Sequence, residues 1–197
     1  MDQREGVYVN WVARLFPHQG EWTEEDYFSL PDTNMIIELS DGEITMAPPP
    51  TPVHQRHLRR LTFSLERFVQ ENSLGEMFFA PIAVRLWKGK IRQPDALFLT
   101  TEHLSQVTDT RIEGPPDWVC EIISPRSRKI DTEDKIAEYA QAGIPEYWLL
   151  DSKTKTIRVY ILEGKRYTLN ATYGMGDIAK SVTIRGFEIA VSEVFRV

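Results

Sequence analysis

The chain has 197 residues, a formal net charge of −6 and 42% hydrophobic residues. This length and composition predict a soluble globular protein and exclude a collagen, a coiled coil or a disordered chain. A single cysteine, Cys120, excludes an intrachain disulfide and a cysteine-built zinc site. The sequence has no apolar run long enough for a membrane span and no secretory signal at its N-terminus, so we expect no membrane association and a cytoplasmic location.

The first elements are a short helix and a hairpin. Thr23, followed by three acidic residues, is typical of a helix N-cap, and this helix ends near Pro31. Apolar segments at 35–39 and 43–46 predict two strands, and Asp41-Gly42 between them is a strong hairpin signal. The proline-rich segment 47–52 predicts a rigid loop.

A long helix follows the proline-rich segment and ends near Asn72. Its apolar residues recur at spacings of three and four and form one stripe: Leu58, Leu61, Leu65, Phe68 and Val69. Further strands are predicted at 76–79, 84–87, 96–99, 118–123, 147–150, 157–162 and 166–169, and the chain ends in a strand and a short helix. A second helix begins with Asp131 as N-cap and ends at Gly143.

This order of elements predicts the α/β class, with a mixed central β-sheet flanked by α-helices. We expect an N-terminal extension over residues 1–20 and a single domain over residues 21–197.

Two carboxylates stand out as candidate site residues. Glu121 interrupts the apolar strand Trp-Val-Cys-Glu-Ile-Ile, where an unpaired charge costs several kcal/mol to bury. Asp95 follows Pro94 and opens another apolar strand. If these strands are neighbours, both acids converge at one end of the sheet, where oxygen ligands suit Mg²⁺. Taken alone, Asp95 is more often a turn residue, and Glu121 is as readily one partner of a buried ion pair.

Lys135 is the third candidate. A helical lysine is usually solvated. This one lies near the start of a helix that follows the Glu121 strand closely, so its long side chain can reach back to the end of that strand.

The segments Pro94-Asp95, Glu121–Pro125, Asp131–Lys135 and Tyr139–Trp148 resemble the Uma-type restriction endonuclease family, which looks like part of the PD-(D/E)XK nuclease superfamily. Glu38 and His54 also lie in segments similar to that family. The resemblance extends over about residues 20 to 195 and is most specific within 118–148. It implies a restriction-endonuclease-like fold.

The resemblance also implies a set of site residues. Asp95, Glu121, the Ile122 carbonyl and Glu38 would hold Mg²⁺ or Mn²⁺, and His54 and Asp131 would line the site. The superfamily lysine is expected two residues after the second acid, but that position holds Ile123. The implied replacement is Lys135, which would orient or deprotonate the attacking water or pair with the transition-state oxygens.

Basic residues near this site are candidates for substrate contact. Arg126, Arg128 and Lys129 follow the Glu121 strand and are the favoured phosphate contacts. The long helix carries further arginines, Arg56, Arg59, Arg60 and Arg67, but these fit a solvated helix face somewhat better. The net charge argues against general nucleic-acid affinity, so binding would need grouped basic residues and metal ions that offset the acids.

We therefore expect a metal-dependent endonuclease that hydrolyses phosphodiester bonds, with DNA as its partner and a homodimer as its assembly. Two alternatives stay open. One is a non-catalytic module of the same fold that binds nucleic acid or protein. The other is a hydrolase that acts on a different phosphorylated substrate.

Overall fold

A computed structural model describes residues 16–31, 35–124 and 129–196. In chain order the strands are Ile36–Ser40 (β1), Glu43–Ala47 (β2), Gly75–Phe79 (β3), Ala83–Trp87 (β4), Lys90–Arg92 (β5), Ala96–Thr100 (β6), Arg111–Glu113 (β7), Trp118–Ile123 (β8), Glu146–Asp151 (β9), Thr156–Glu163 (β10), Arg166–Tyr173 (β11), Ile178–Lys180 (β12) and Glu188–Ala190 (β13). The helices are Glu24–Phe28 (α1), Pro52–Glu71 (α2), Lys135–Ala142 (α3) and Val191–Phe195 (α4). A 3-10 helix spans Thr101–Gln106, and a π-helical turn spans Ile130–Asp134.

A mixed sheet of six strands, in the order β11-β10-β9-β8-β6-β3, forms the centre of the fold. Strands β8 and β9 are parallel, and the other pairs in this sheet are antiparallel. A second sheet has the order β2-β1-β5-β4-β7, and β12 pairs with β13. The predicted α/β class, with a mixed central sheet flanked by helices, is therefore confirmed.

The central strand β8 is buried along its whole length, as its apolar sequence predicts. One face of this strand presents Trp118, Cys120 and Ile122 to a core that also contains apolar residues of α2 and α4. Val119 and Ile123 pack on the other face, in a second core with residues of α3. Because side chains alternate along a strand, Glu121 points toward the α3 face.

The pairing of β6 with β8 brings the two candidate acids to the same level of the sheet. Ala96 of β6 lies opposite Cys120 of β8 in antiparallel register. Asp95 is one residue before Ala96 and Glu121 is one residue after Cys120, so the next rung of this register contains both acids. The strand adjacency on which the predicted convergence depends is therefore present.

Three short strands are not predicted from the sequence: β5, β7 and one strand of the pair β12 and β13, where a single strand is expected. The turn at Lys88–Gly89 connects β4 to β5, which lies between the predicted strands 84–87 and 96–99. β5 has the sequence Lys-Ile-Arg and is buried throughout, because ion pairs compensate both of its charges. β7 lies between the predicted strands 96–99 and 118–123 and pairs with β4.

The prediction that Asp131 is a helix N-cap is wrong. Asp131 lies inside the π-helical turn Ile130–Asp134, and the helical backbone already includes Lys129. Its carboxylate is buried rather than placed at a helix end, and one of its oxygens lies 3.6 Å from the Lys135 ammonium. The predicted end of this helix at Gly143 is confirmed, because Gly143 adopts the left-handed conformation at φ 89°.

A fully buried acid anchors the C-terminal segment to the central sheet. Glu146 of β9 has 0% exposure and accepts hydrogen bonds from the Trp148 indole, the Ser181 hydroxyl and the backbone N–H groups of Val182 and Thr183.

Replacing Glu146 with alanine is therefore expected to lower the free energy of unfolding by about 3 kcal/mol, since it leaves several buried donors without an acceptor. Urea unfolding measures this change. Glu163→Ala, an exposed acid on β10, is the control and should change stability by less than about 0.5 kcal/mol. Equal effects of the two substitutions would contradict the anchoring role.

Candidate active site

A cavity of about 1170 Å³ lies at the end of the central sheet where β6 begins and β8 ends. Its polar wall contains the acids and the lysine singled out above: Glu38, Asp95, Glu121, Asp131 and Lys135. The lining also includes Met46 at the end of β2, the proline run 48–50 and Val53 at the start of α2. Four separate segments of sequence therefore contribute to the polar wall.

Asp95 is held in place through one of its carboxylate oxygens. Oδ2 accepts a hydrogen bond from the Ile122 N–H at 2.8 Å and lies 3.0 Å from His54 Nε2. His54 reaches this position from the first turn of α2, which is capped by the Thr51 hydroxyl and begins with Pro52. The proline-rich segment therefore leads directly into the helix that places His54 beside Asp95.

Lys135 forms the centre of a buried charge cluster. Its Nζ lies 2.8 Å from Glu121 Oε1, 3.4 Å from Glu38 Oε1 and 3.6 Å from Asp131 Oδ1. Glu121 Oε1 also accepts a hydrogen bond from the Tyr139 hydroxyl at 2.6 Å. Lys135 and Tyr139 are one helical turn apart, so both reach the same carboxylate on the α3 face of β8.

A second layer of ion pairs holds Glu38 and extends to α3. Arg92 of β5 donates to Glu38 Oε2 at 2.9 Å and to both carboxylate oxygens of Glu138 at 2.7 Å. Glu38 Oε1 accepts from the Gln93 N–H at 3.1 Å. Glu138 also pairs with Lys90. This layer ties the five-stranded sheet to the helix that carries Lys135.

The cluster sets the ionisation of its members in opposite directions. Burial raises the pKa of Glu121 to about 8, and the nearby acids Asp95, Asp131 and Glu38 add to this rise against the opposing effect of Lys135. Burial alone would also raise the pKa of Glu38, but Lys135 and Arg92 hold that pKa below its ordinary value.

The two basic groups of the site favour their protonated forms. Burial opposes the charge of Lys135, but Glu121, Glu38 and Asp131 outweigh this effect and raise its pKa. His54 behaves similarly, because the hydrogen bond to Asp95 overcomes the effect of burial and raises its pKa.

These pKa shifts predict opposite effects of pH for the two glutamates. Since the folded chain keeps a proton on Glu121 that the unfolded chain has released, the stability contributed at this position should fall as pH rises from about 4.5 to about 8, by about 1 kcal/mol per pH unit. The difference in unfolding free energy between the wild type and Glu121→Gln, measured in EDTA across this range, reports the effect.

Glu38→Gln is the matched control. Because the pKa of Glu38 is lowered in the folded chain, its carboxylate contributes fully to stability at any pH above the ordinary glutamate pKa. This contribution is lost only as pH falls through the lowered pKa. The wild type and Glu38→Gln should therefore differ by a constant amount between pH 5 and pH 8. A constant difference for Glu121→Gln over the same range would contradict the raised pKa.

The structure brings most of the predicted site residues to one cavity and leaves others undescribed. Glu38, His54, Asp95, Glu121, Ile122, Asp131 and Lys135 all line it. Lys129 is exposed. Arg126 and Arg128 lie outside the described residues, so the phosphate-contact role of this group stays a prediction.

Sequence reasoning missed Arg92, Glu138 and Tyr139. Arg92 lies in a strand too short and too charged to be recognised. Tyr139 is within a segment that carries the family resemblance, but a single tyrosine gave no signal of its contact with Glu121. The spacing of Lys135, Glu138 and Tyr139 along one helix could have indicated a shared face.

Fold and site together define an α/β protein with a cluster of carboxylates and a lysine at one end of the strands of a mixed sheet. Residues 24–192 match the model of the Uma2 family, described as "Putative restriction endonuclease". Because the match covers most of the sequence, the chain belongs to this family, and the predicted family is confirmed. Membership supports a nuclease-like function.

Structural comparison agrees with the fold. A crystal structure from Anabaena variabilis, described as "a putative nuclease belonging to DUF820", is similar with a TM-score of 0.73 and 18% sequence identity, covering 88% of this chain and 97% of that one. The type IIG restriction endonuclease BpuSI gives a TM-score of 0.42 at 10% identity, covering 76% of this chain and 17% of that one. No curated protein matches the chain in sequence.

None of the helices in residues 16–31, 35–124 and 129–196 has the length and apolar character needed to cross a membrane.

Proposed function

We propose that the chain is an endonuclease that hydrolyses phosphodiester bonds in DNA and depends on Mg²⁺ or Mn²⁺. The observation that carries this proposal is the meeting of Asp95, Glu121 and Lys135, from three different elements, on one wall of a cavity. A buried lysine with a carboxylate partner and a second carboxylate on the adjacent strand is a costly arrangement for stability alone. It is also a suitable one for phosphoryl chemistry.

The donor set fits a hard divalent cation. Glu121 uses Oε1 for Lys135 and Tyr139, and Asp95 uses Oδ2 for Ile122 and His54. Within the described residues, Glu121 Oε2 and Asp95 Oδ1 accept no hydrogen bond from protein, and both side chains line the cavity. Each acid therefore keeps one oxygen for a cation, and oxygen ligands are those that Mg²⁺ and Mn²⁺ prefer.

The Ile122 carbonyl is a third oxygen donor in this proposal. The N–H and C=O groups of one residue in an extended strand point to the same side, and the Ile122 N–H points to Asp95. No three His, Cys, Asp or Glu side chains of the described chain are close enough together to form a metal site by themselves. Two carboxylates, this carbonyl and water would complete the shell, which suits Mg²⁺ because it keeps several waters.

We assign Glu38 a supporting role instead of the metal-ligand role expected from the sequence. Both of its oxygens already have partners, because Oε2 accepts from Arg92, and Oε1 accepts from the Gln93 N–H and faces Lys135. In this proposal Glu38 orients Lys135 and keeps it protonated.

A bound Mg²⁺ or Mn²⁺ would lower the pKa of a water molecule and offset negative charge on the phosphate. The acidic neighbours of Lys135 raise its pKa, which favours the ammonium form. Its proposed part is to donate a hydrogen bond to the water or to a phosphate oxygen. Hydrolysis joins the water oxygen to phosphorus as the bond from phosphorus to the leaving sugar oxygen breaks. The water releases one proton to solvent, and the leaving oxygen takes up one proton from solvent.

Incubation of the purified protein with supercoiled plasmid tests the proposal. We expect nicked and linear products with Mg²⁺ or Mn²⁺ and none in EDTA. Asp95→Ala, purified in the same way, should leave the plasmid intact and so excludes a contaminating nuclease. Equal cleavage by Asp95→Ala, or no cleavage by the wild type with either metal, would contradict the proposed function. The homodimer and the cytoplasmic location stay predictions from the sequence.

A further inference from the structure

The side of α2 opposite its buried stripe carries a cluster of arginines beside the cavity. Arg56 and Arg59 are exposed, and Arg60 is half-buried. Arg60 donates through NH1 to the backbone carbonyls of Val194 and Arg196, which fixes it against the end of the chain. No acidic residue occurs in the helix from 52 to 65, so this part of the face carries no negative charge.

The turn between β9 and β10 continues this positive surface. Lys153 lines the cavity, and Lys155 is exposed at the end of the turn. His57 of α2 connects the two elements, because its Nδ1 lies 2.9 Å from the Ser152 hydroxyl. The helix arginines and the turn lysines are therefore held on one surface at the cavity. We call Arg56, Arg59, Arg60, Lys153 and Lys155 the basic rim.

The rim residues lie close enough to affect each other's charge. Burial lowers the pKa of His57, and the positive charges of Arg60, His54, Arg56 and Lys155 lower it further. Arg60 shows the same crowding, since its pKa is lowered by burial and then by Arg196 and the neighbouring arginines.

No carboxylate of the described residues forms an ion pair with any member of the basic rim. The buried cations of the fold differ in this respect, because Lys90, Arg92 and Lys135 each pair with acids. In a chain with a net charge of −6, a group of unpaired like charges opposes folding and is not explained by stability.

We infer that the basic rim binds the phosphate backbone of duplex DNA and positions it over the cavity. This inference rests on the proposed function and adds to it the surface that holds the substrate. The guanidinium fork of arginine matches phosphate oxygens. These residues therefore suit backbone contact independent of sequence.

Binding of a short fluorescein-labelled duplex, followed by fluorescence anisotropy in EDTA, tests this inference without hydrolysis. The test variant is the double substitution Arg56→Gln and Arg59→Gln. The control is Lys165→Gln with Arg166→Gln in the β10–β11 hairpin, which removes the same charge from two exposed residues outside the rim. Arg60 is left intact because it also holds backbone carbonyls.

The rim variant should bind at least about tenfold more weakly than the wild type, and the slope of log affinity against log salt should fall by about two. The control should change affinity by less than about threefold, because distant charges are screened. Equal weakening by both variants, unchanged binding by the rim variant, or a wild type that binds anionic vesicles but not duplex DNA would overturn the inference.

The inference and the proposed function can fail separately. A wild type that binds duplex DNA through the rim but never cleaves it would contradict the proposed endonuclease activity and support the DNA-binding role of the rim. A wild type that cleaves DNA with Mg²⁺ while the rim variant binds normally would contradict the rim alone.

Discussion

Replacing Lys135 with methionine is expected to lower the free energy of unfolding by about 3–5 kcal/mol and to abolish plasmid cleavage. Methionine has a similar length but no charge, so it leaves Glu121, Glu38 and Asp131 buried without their shared cation. The same change removes the proposed donor to water or phosphate. Urea unfolding in EDTA measures stability, and plasmid cleavage at a temperature where the variant is folded measures activity.

Lys129→Met is the matched control for stability. Lys129 is an exposed lysine in the same helical stretch, so its replacement should change stability by less than about 0.5 kcal/mol. Mg²⁺ should partly restore the stability of Lys135→Met, because a cation can replace the lost charge among the acids. Wild-type stability for Lys135→Met in EDTA would contradict the cluster described above.

The second large effect is expected for Asp95→Asn. Asparagine keeps an oxygen that can accept from the Ile122 N–H but removes the negative charge from the proposed cation site. Cleavage should fall by at least about 100-fold, while stability changes far less than for Lys135→Met. Initial rates of plasmid nicking at saturating Mg²⁺ give the activity, and thermal unfolding gives the stability.

Asp117→Asn provides a close control for this substitution. Asp117 is also a buried aspartate with a histidine partner, since it lies 2.8 Å from His103, but it is not part of the cavity wall. Its replacement should leave the cleavage rate of the folded protein within about threefold of the wild type. Comparable losses of activity for the two variants would show that Asp95 acts through folding and not at the site.

The elements that depend on local patterns could be predicted from the sequence. The buried strand β8, the amphipathic helix α2 and the end of α3 at Gly143 follow from apolar periodicity and turn chemistry. The sequence predicts that Asp95 lies beside Glu121 if their strands are neighbours. In the structure the two strands, β6 and β8, are directly paired.

The remaining features depend on contacts between distant segments. β5 is buried because Arg92 and Lys90 meet acids that are far away in sequence, and no local pattern reports such partners. The sequence predicts an N-cap at Asp131 because an acid before a helix usually caps it, whereas in the structure Asp131 faces Lys135 one turn further on. The contact of Tyr139 with Glu121 depends on the packing of α3 against the sheet, which sequence alone does not specify.

Diffraction at the manganese edge from crystals soaked in Mn²⁺ tests the central claim most directly. We predict one strong anomalous peak in the cavity, bonded to Asp95, Glu121 and the Ile122 carbonyl, with the Lys135 ammonium close by but not coordinated. The peak should be lost in crystals of Asp95→Asn. A fully soaked crystal with no peak in this cavity, or with manganese bound only by other residues, would contradict the account.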